Sequence, residues 1–138
     1  MTASCFLDTN ILVYSVDKKG KAKHGTARDL IATLVQNDDA IISTQTLQEF
    51  YNAATKKLIA SKKDAGTFVK QFSDIIPVHC STVNDVLATI DISDASQLSF
   101  WDSLILASAK ACGCTTVYSE DLNDGQTING IKVVNPFR

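Results

Sequence analysis

Four carboxylates stand where chemistry could be done: Asp8, Glu49, Asp102 and Asp121. Asp8 interrupts the apolar run "FLDTNILVYSVD" with an acid, a hydroxyl and an amide, so folding will strip much of the water from it. An unpaired buried charge is costly, or shifts its pKa until it neutralises, so something must compensate this one. Carboxylates gathered in one place also repel one another unless a cation or a shared proton offsets them. Oxygen donors with no histidine or cysteine among them favour Mg2+, with Mn2+ as a substitute, over Zn2+.

Taken singly, each acid has a plainer explanation. Asp8 would serve as a turn or cap residue. Glu49 follows Thr46 at the spacing of a capping box and lies opposite the Leu47-Phe50-Ala54 stripe, which suits a solvated helix face. Asp102 follows Ser99 at the same spacing, and an acid in a first turn complements the helix dipole. Asp121 and Asp124 occupy a polar turn closed by Gly125, where aspartate is common. Only a fold that brings these loops together makes a site of them.

The elements that would do so alternate along the chain. Ser4 to Leu7 reads as a strand, and Thr9-Asn10 offers N-cap chemistry for a helix from Ile11, which places Asp8 at a strand's carboxyl end. Helical spacing from Lys21 to Gln36 precedes a strand at Ala40-Ile41-Ile42 and the Ser43-Thr44 turn. A helix from Gln45 to Leu58 has the core stripe Leu47, Phe50, Tyr51, Ala54 and Leu58. Helical patterns continue at Asp64 to Phe72 and Asn84 to Ile90, around a short strand at Ile76-Pro77-Val78. Phe100 to Ala111 is a helix stopped by Gly113, and Thr115 to Tyr118 and Ile131 to Val134 are strands. Short strands alternating with helices predict a three-layer α/β/α domain with a short, mainly parallel central sheet. Sites in such sheets form beyond the carboxyl ends of the strands, the edge that Asp8, the Ser43-Thr44 turn and "SEDLNDG" would share.

Size and composition set the remaining bounds. The 138 residues suggest one domain spanning 1–138, long enough for a core without disulfide or metal staples. No basic leader and no long apolar run is evident, so the expectation is a cytoplasmic protein with no membrane partner. Cys5, Cys80, Cys112 and Cys114 form no CxxC pair, and a zinc site recruiting His79 would match no usual spacing. These thiols read as small hydrophobes in a reducing compartment. The net charge of −2 argues at first against a nucleic-acid partner, but ten of the thirteen basic residues fall in two segments. Lys18, Lys19, Lys21, Lys23 and Arg28 form one, and Lys56, Lys57, Lys62, Lys63 and Lys70 the other. They are either solvated helix faces or two sides of a groove that attracts phosphates.

The blocks "FLDTNILVYSVD", "STQTLQEFYNAATKK" and "LSFWDSLILASAKACGCTTVYSEDLNDGQTINGIKVVNPF" resemble those of the PIN-domain nucleases, in particular the VapC-like ribonuclease toxins of bacterial toxin–antitoxin pairs. The likeness spans almost the whole chain and is weakest over residues 60–95. It implies a PIN-like fold whose acidic quartet is Asp8, Glu49, Asp102 and Asp121, with Thr9, Asn10 and Ser119 holding the carboxylates or the substrate. Asp124 matches a position that is acidic in some members and would be an additional ligand. The implied activity is Mg2+-dependent hydrolysis of RNA phosphodiesters leaving 5′-phosphate and 3′-hydroxyl ends. In that scheme Asp8, Asp102 and Asp121 hold the metal, and Glu49 joins them directly or through water. A homodimer and a cognate antitoxin are implied as partners. Two alternatives stay open: a haloacid-dehalogenase-like phosphatase with Asp8 as nucleophile, and a PIN-like module that binds RNA or a partner protein without cutting. The phosphatase would usually want an aspartate where Asn10 stands.

Overall fold

The computed structural model describes residues 4–138. Strand β1 (Cys5–Leu7) lies in the middle of the sheet, between β2 (Ala40–Ser43) and β4 (Thr116–Tyr118), and is parallel to both. Outside β2 lies β3 (Val78–His79), and outside β4 lies β6 (Ile131–Val134), each again parallel to its neighbour. Among the described strands only β5 (Thr127–Ile128) runs antiparallel, as the outer arm of a hairpin with β6. The order is β3-β2-β1-β4-β6-β5.

Among the described residues six helices cover the sheet: α1 (Thr9–Val16), α2 (Ala22–Gln36), α3 (Thr44–Lys56), α4 (Lys62–Ile75), α5 (Val83–Ser96) and α6 (Phe100–Ala111), with a 3-10 turn at Lys18–Gly20. Strand alternation decides which layer each side chain enters, because successive Cβ atoms point to opposite faces. Cys5 and Leu7 join a core with Ile11, Leu12, Ile31, Phe50 and Phe72 from α1 to α4. Phe6, between them, joins Ile105, Leu106, Val117, Ile131 and Val133 beneath α5 and α6. The expected three-layer arrangement with a mainly parallel sheet is therefore present. Among the described residues no helix is long and apolar enough to cross a membrane.

Several local expectations need correction. The first helix begins at Thr9 rather than Ile11, and its N-cap is Asp8 itself. The capping box of α3 is Ser43 with Thr46, so Thr46 is buried in the first turn and Glu49 takes no part in a cap. Helix α3 stops at Lys56, and Leu58, which extends the apolar stripe in sequence, is 87% exposed with φ +56°. Hydrogen bonding and burial of the turn override periodicity there. The helices over residues 62–75 and 83–96 are longer than their stripes suggest, and β5 has no signal of its own at two residues. Cys5 and Cys114 are buried as expected of small hydrophobes, whereas Cys80 is exposed. His79, which a zinc site would have required, has its Nε2 at 2.7 Å from the Asp85 carboxylate and ties β3 to the first turn of α5.

Candidate active site

Strand β1 lies at the point where the sheet's order reverses: the chain leaves it toward β2 on one side and returns to β4 on the other. Crevices at such points, outside the strands' carboxyl ends, are where open α/β sheets bind ligands. The Asp8 N–H donates to the Tyr118 carbonyl at 3.0 Å, which extends the β1–β4 ladder by one step and brings Ser119, Glu120 and Asp121 alongside the start of α1. From β2 the chain enters α3 at once, and Glu49 lies just beyond its first turn.

Three consecutive residues then fan out from the first turn of α1. Asp8 is 5% exposed; its Oδ1 accepts the Thr9 N–H at 2.7 Å and its Oδ2 accepts the Ser119 hydroxyl at 2.7 Å. Thr9 Oγ1 donates to Glu49 Oε1 at 3.0 Å. Asn10 grips the opposite loop with both ends of its amide: Nδ2 donates to Asp121 Oδ2 at 3.0 Å, and Oδ1 accepts the Glu120 N–H at 3.3 Å. Ser119, fully buried, also accepts the Asp121 N–H at 3.1 Å, so one hydroxyl orients two of the acids. Asp102 enters from the other layer, in the first turn of α6, where its N–H donates to the Ser99 cap at 3.1 Å.

The electrostatics are those of a site short of positive charge. Burial pushes Asp8 up to about 6; the hydrogen bonds from Ser119 and Thr9 oppose this, and the charges of Asp121 and Glu49 add to it. Glu49 is raised as well, first by burial and then by Asp102 and Asp121, against the hydrogen bonds from Thr9 and Gln45. Among the described residues none of the four acids forms an ion pair with a lysine or arginine. The groove beside Glu49 and Asp121, about 470 Å3, is lined also by Thr9, Asn10, Asn52 and Glu120, with Lys57 as the one cation among its described lining residues.

The sequence-expected quartet is thus gathered at one edge, joined by mutual charge effects. Asp124 is turned elsewhere: its Oδ1 accepts the Asn135 N–H at 2.8 Å and clips the C-terminal segment to the loop. Among the described residues no three carboxylates, imidazoles or thiols stand close enough to hold one ion as they are. The donor chemistry nevertheless fits a hard divalent cation: all four side chains offer carboxylate oxygen, and Gln45 Oε1, buried one turn before Glu49, has no hydrogen-bond partner.

Two contributors had no sequence signal. Gln45 sends its Nε2 to the Trp101 carbonyl at 3.3 Å and so links the helix of Glu49 to the helix of Asp102. Glu120 forms an ion pair with Lys23, whose ammonium lies 5.0 Å from the Tyr14 ring centroid and 5.6 Å from that of Phe137. This pairing neutralises a fifth acid and anchors its loop to α1, α2 and the C-terminal segment.

The family model of the PIN domain matches residues 5–123. In fold the chain is similar to DNA-bound VapBC from Salmonella typhimurium, at 20% identity and TM-score 0.71 over 95% of this chain and 96% of that one. VapBC2 from Rickettsia felis, bound to a DNA fragment from their promoter, is similar at 18% identity and TM-score 0.70 over 94% and 96%. VapC20 from Mycobacterium tuberculosis, a Sarcin-Ricin loop cleaving toxin, is similar at 22% identity and TM-score 0.67 over 86% and 90%. No curated protein matches the chain in sequence.

Proposed function

The chain belongs to the PIN domain family, and on that premise we propose that it is an endoribonuclease dependent on Mg2+ or Mn2+, the toxin of a toxin–antitoxin pair. The observation that carries the reading is Asp8: a carboxylate 5% exposed, pushed up to about 6, with two further acids adding to the rise and, among the described residues, no ion pair to offset it. A fold that keeps such a cost at the crevice of its sheet is explained by a ligand that removes it.

Asp8, Asp102 and Asp121 would hold the divalent ion, with Glu49 contributing directly or through water. A bound ion would supply positive charge opposite the scissile phosphate and make water a better nucleophile near neutral pH. Ser119 and the Thr9 N–H orient Asp8 by its two oxygens, so that its remaining lone pairs face a fixed direction. Thr9 donates to Glu49 Oε1 and so fixes that carboxylate, which would take a proton from attacking water where it reaches the ion only through water. Asn10 fixes the Glu120-Asp121 backbone and carboxylate together, and the groove lined by Asn52 and Lys57 receives the strand.

The solved VapBC complexes of similar fold support an antitoxin as partner, and the resemblance of the sequence blocks supports a homodimer. The test is incubation of the purified chain with tRNA and rRNA, with Mg2+, with Mn2+ and in EDTA, beside Asp8→Asn. Metal-dependent cleavage that Asp8→Asn abolishes is the expected result. Cleavage in EDTA, or full activity of Asp8→Asn, would refute the mechanism; RNA bound in both metals and never cut would leave a binding module.

A further inference from the structure

Next to the acidic groove lies a second cavity of about 510 Å3, whose walls include Lys18, Lys19, Lys57, Leu58 and Phe68. Asp17, Lys57 and Ile59 line both, so the two form one trench, acidic at the sheet edge and basic beyond it. Three lysines in the outer part face two aspartates, and Asp17 is already engaged, its Oδ1 accepting the Lys19 N–H at 3.1 Å. The trench draws its lysines from the carboxyl ends of two helices: Lys18 and Lys19 follow α1, and Lys57 follows α3.

Leu58 is the unusual member. It is 87% exposed and held at φ +56°, a conformation in which a branched apolar residue is disfavoured. The turn is nonetheless well tied: the Leu58 N–H donates to the Thr55 carbonyl at 3.3 Å, and the Ile59 and Ala60 N–H groups both donate to the Ala54 carbonyl, at 3.0 and 3.2 Å. A firmly fixed, strained backbone that holds leucine in water beside three lysines is costly unless the leucine meets something apolar that carries negative charge. Single-stranded RNA has both properties, with phosphates for the ammonium groups and exposed base faces for the apolar surface.

Building on the ribonuclease reading, we propose that the outer trench is the subsite for the RNA strand flanking the scissile phosphate. Lys57, Lys18 and Lys19 take successive phosphates, and Leu58 with Phe68 forms the surface against which one unstacked base lies. Lys57, shared by both cavities, takes the phosphate nearest the acids.

The test is binding in EDTA, where no cleavage intervenes, of a fluorescent single-stranded RNA of roughly eight nucleotides, within the site sizes of single-strand binders. For Lys18→Ala/Lys19→Ala/Lys57→Ala the slope of log affinity against log salt should flatten by about 2, so that a fourfold rise in salt weakens the wild type about 20-fold more than the variant. Leu58→Asn keeps a residue tolerant of positive φ; its affinity should fall about fivefold, the scale of half a leucine's apolar burial, with the salt slope unchanged. An unaltered slope in the lysine variant, or unaltered affinity in Leu58→Asn, overturns the proposal, as does unchanged RNA binding in both combined with lost binding of a partner protein. A wild type that binds this RNA through the trench but never cuts RNA with Mg2+ would instead count against the nuclease reading alone.

Discussion

Replacing Asp8 by Asn should make the metal-free protein more stable, and by an amount that depends on pH in a defined sense. Asp8 rises from an ordinary value of 3.8 to about 6 in the folded chain. Its native pKa is raised, so between about pH 4 and 6 the folded state holds a proton that the unfolded chain releases, and stability falls as pH rises through that window. The full gap corresponds to about 3 kcal/mol of destabilisation above pH 6, absent below pH 4. Asparagine removes the charge while keeping the local pattern. Its Oδ1 can accept the Thr9 N–H, and its Nδ2 can donate to Ser119 Oγ, which retains a lone pair beside the one facing the Asp121 N–H. Allowing for imperfect geometry, Asp8→Asn should gain about 1–3 kcal/mol at pH 7.5 and about 2 kcal/mol less than that at pH 4.5. Urea unfolding in EDTA at both pH values measures this. Mg2+ should then stabilise the wild type in proportion to its binding and leave the variant where it was. An Asp8→Asn protein no more stable than wild type at pH 7.5, or a gain that persists undiminished at pH 4.5, would refute the account of Asp8 as an uncompensated buried carboxylate.

Other outcomes follow from the same contacts. Ser119→Ala leaves Asp8 Oδ2 without its donor and should cost about 1–3 kcal/mol at pH 7.5, with less loss at pH 4.5 where the carboxyl is protonated; chemical denaturation at the two pH values reads it. Asn10→Ala releases both the Glu120 N–H and the Asp121 carboxylate, so hydrogen exchange at the Glu120 amide should quicken by at least about tenfold while core amides are unchanged. Among the thiols, Cys80 is exposed whereas burial pushes Cys114 up to about 12 and raises Cys5 as well, so an aromatic disulfide reagent should modify Cys80 in the native protein well before either.

The three-layer scheme was legible because its signals are periodic. Short strand-like runs alternate with segments of helical spacing, and the positions Leu47, Phe50 and Ala54 of the α3 stripe do pack in one core. The acids were legible as positions at strand ends and helix starts, and the structure does bring Asp8, Glu49, Asp102 and Asp121 to one edge. What escaped is what period and spacing cannot encode. Leu58 continues a stripe whose helix has already ended in a turn tied back to Ala54. Lys23 and Glu120 stand 97 positions apart and meet only because α2 and the β4 loop flank the same helix. The Thr46–Glu49 spacing matches a capping box, yet Ser43, one residue before α3, is the N-cap and pairs with Thr46 instead.

Strand β1 is three residues long, and its side chains divide between the two cores: Leu7 is buried against α1 to α4 and Phe6 against α5 and α6, each at 0% exposure. Asp8 is the next link of that chain, and its N–H is bonded to β4. Neither helical layer can loosen without disturbing the strand that carries the acid, so the reactive edge has the mechanical independence of neither layer. A methylene removed at Leu106 on one side or at Leu12 on the other should register at Asp8 as a changed titration, although neither residue borders the groove.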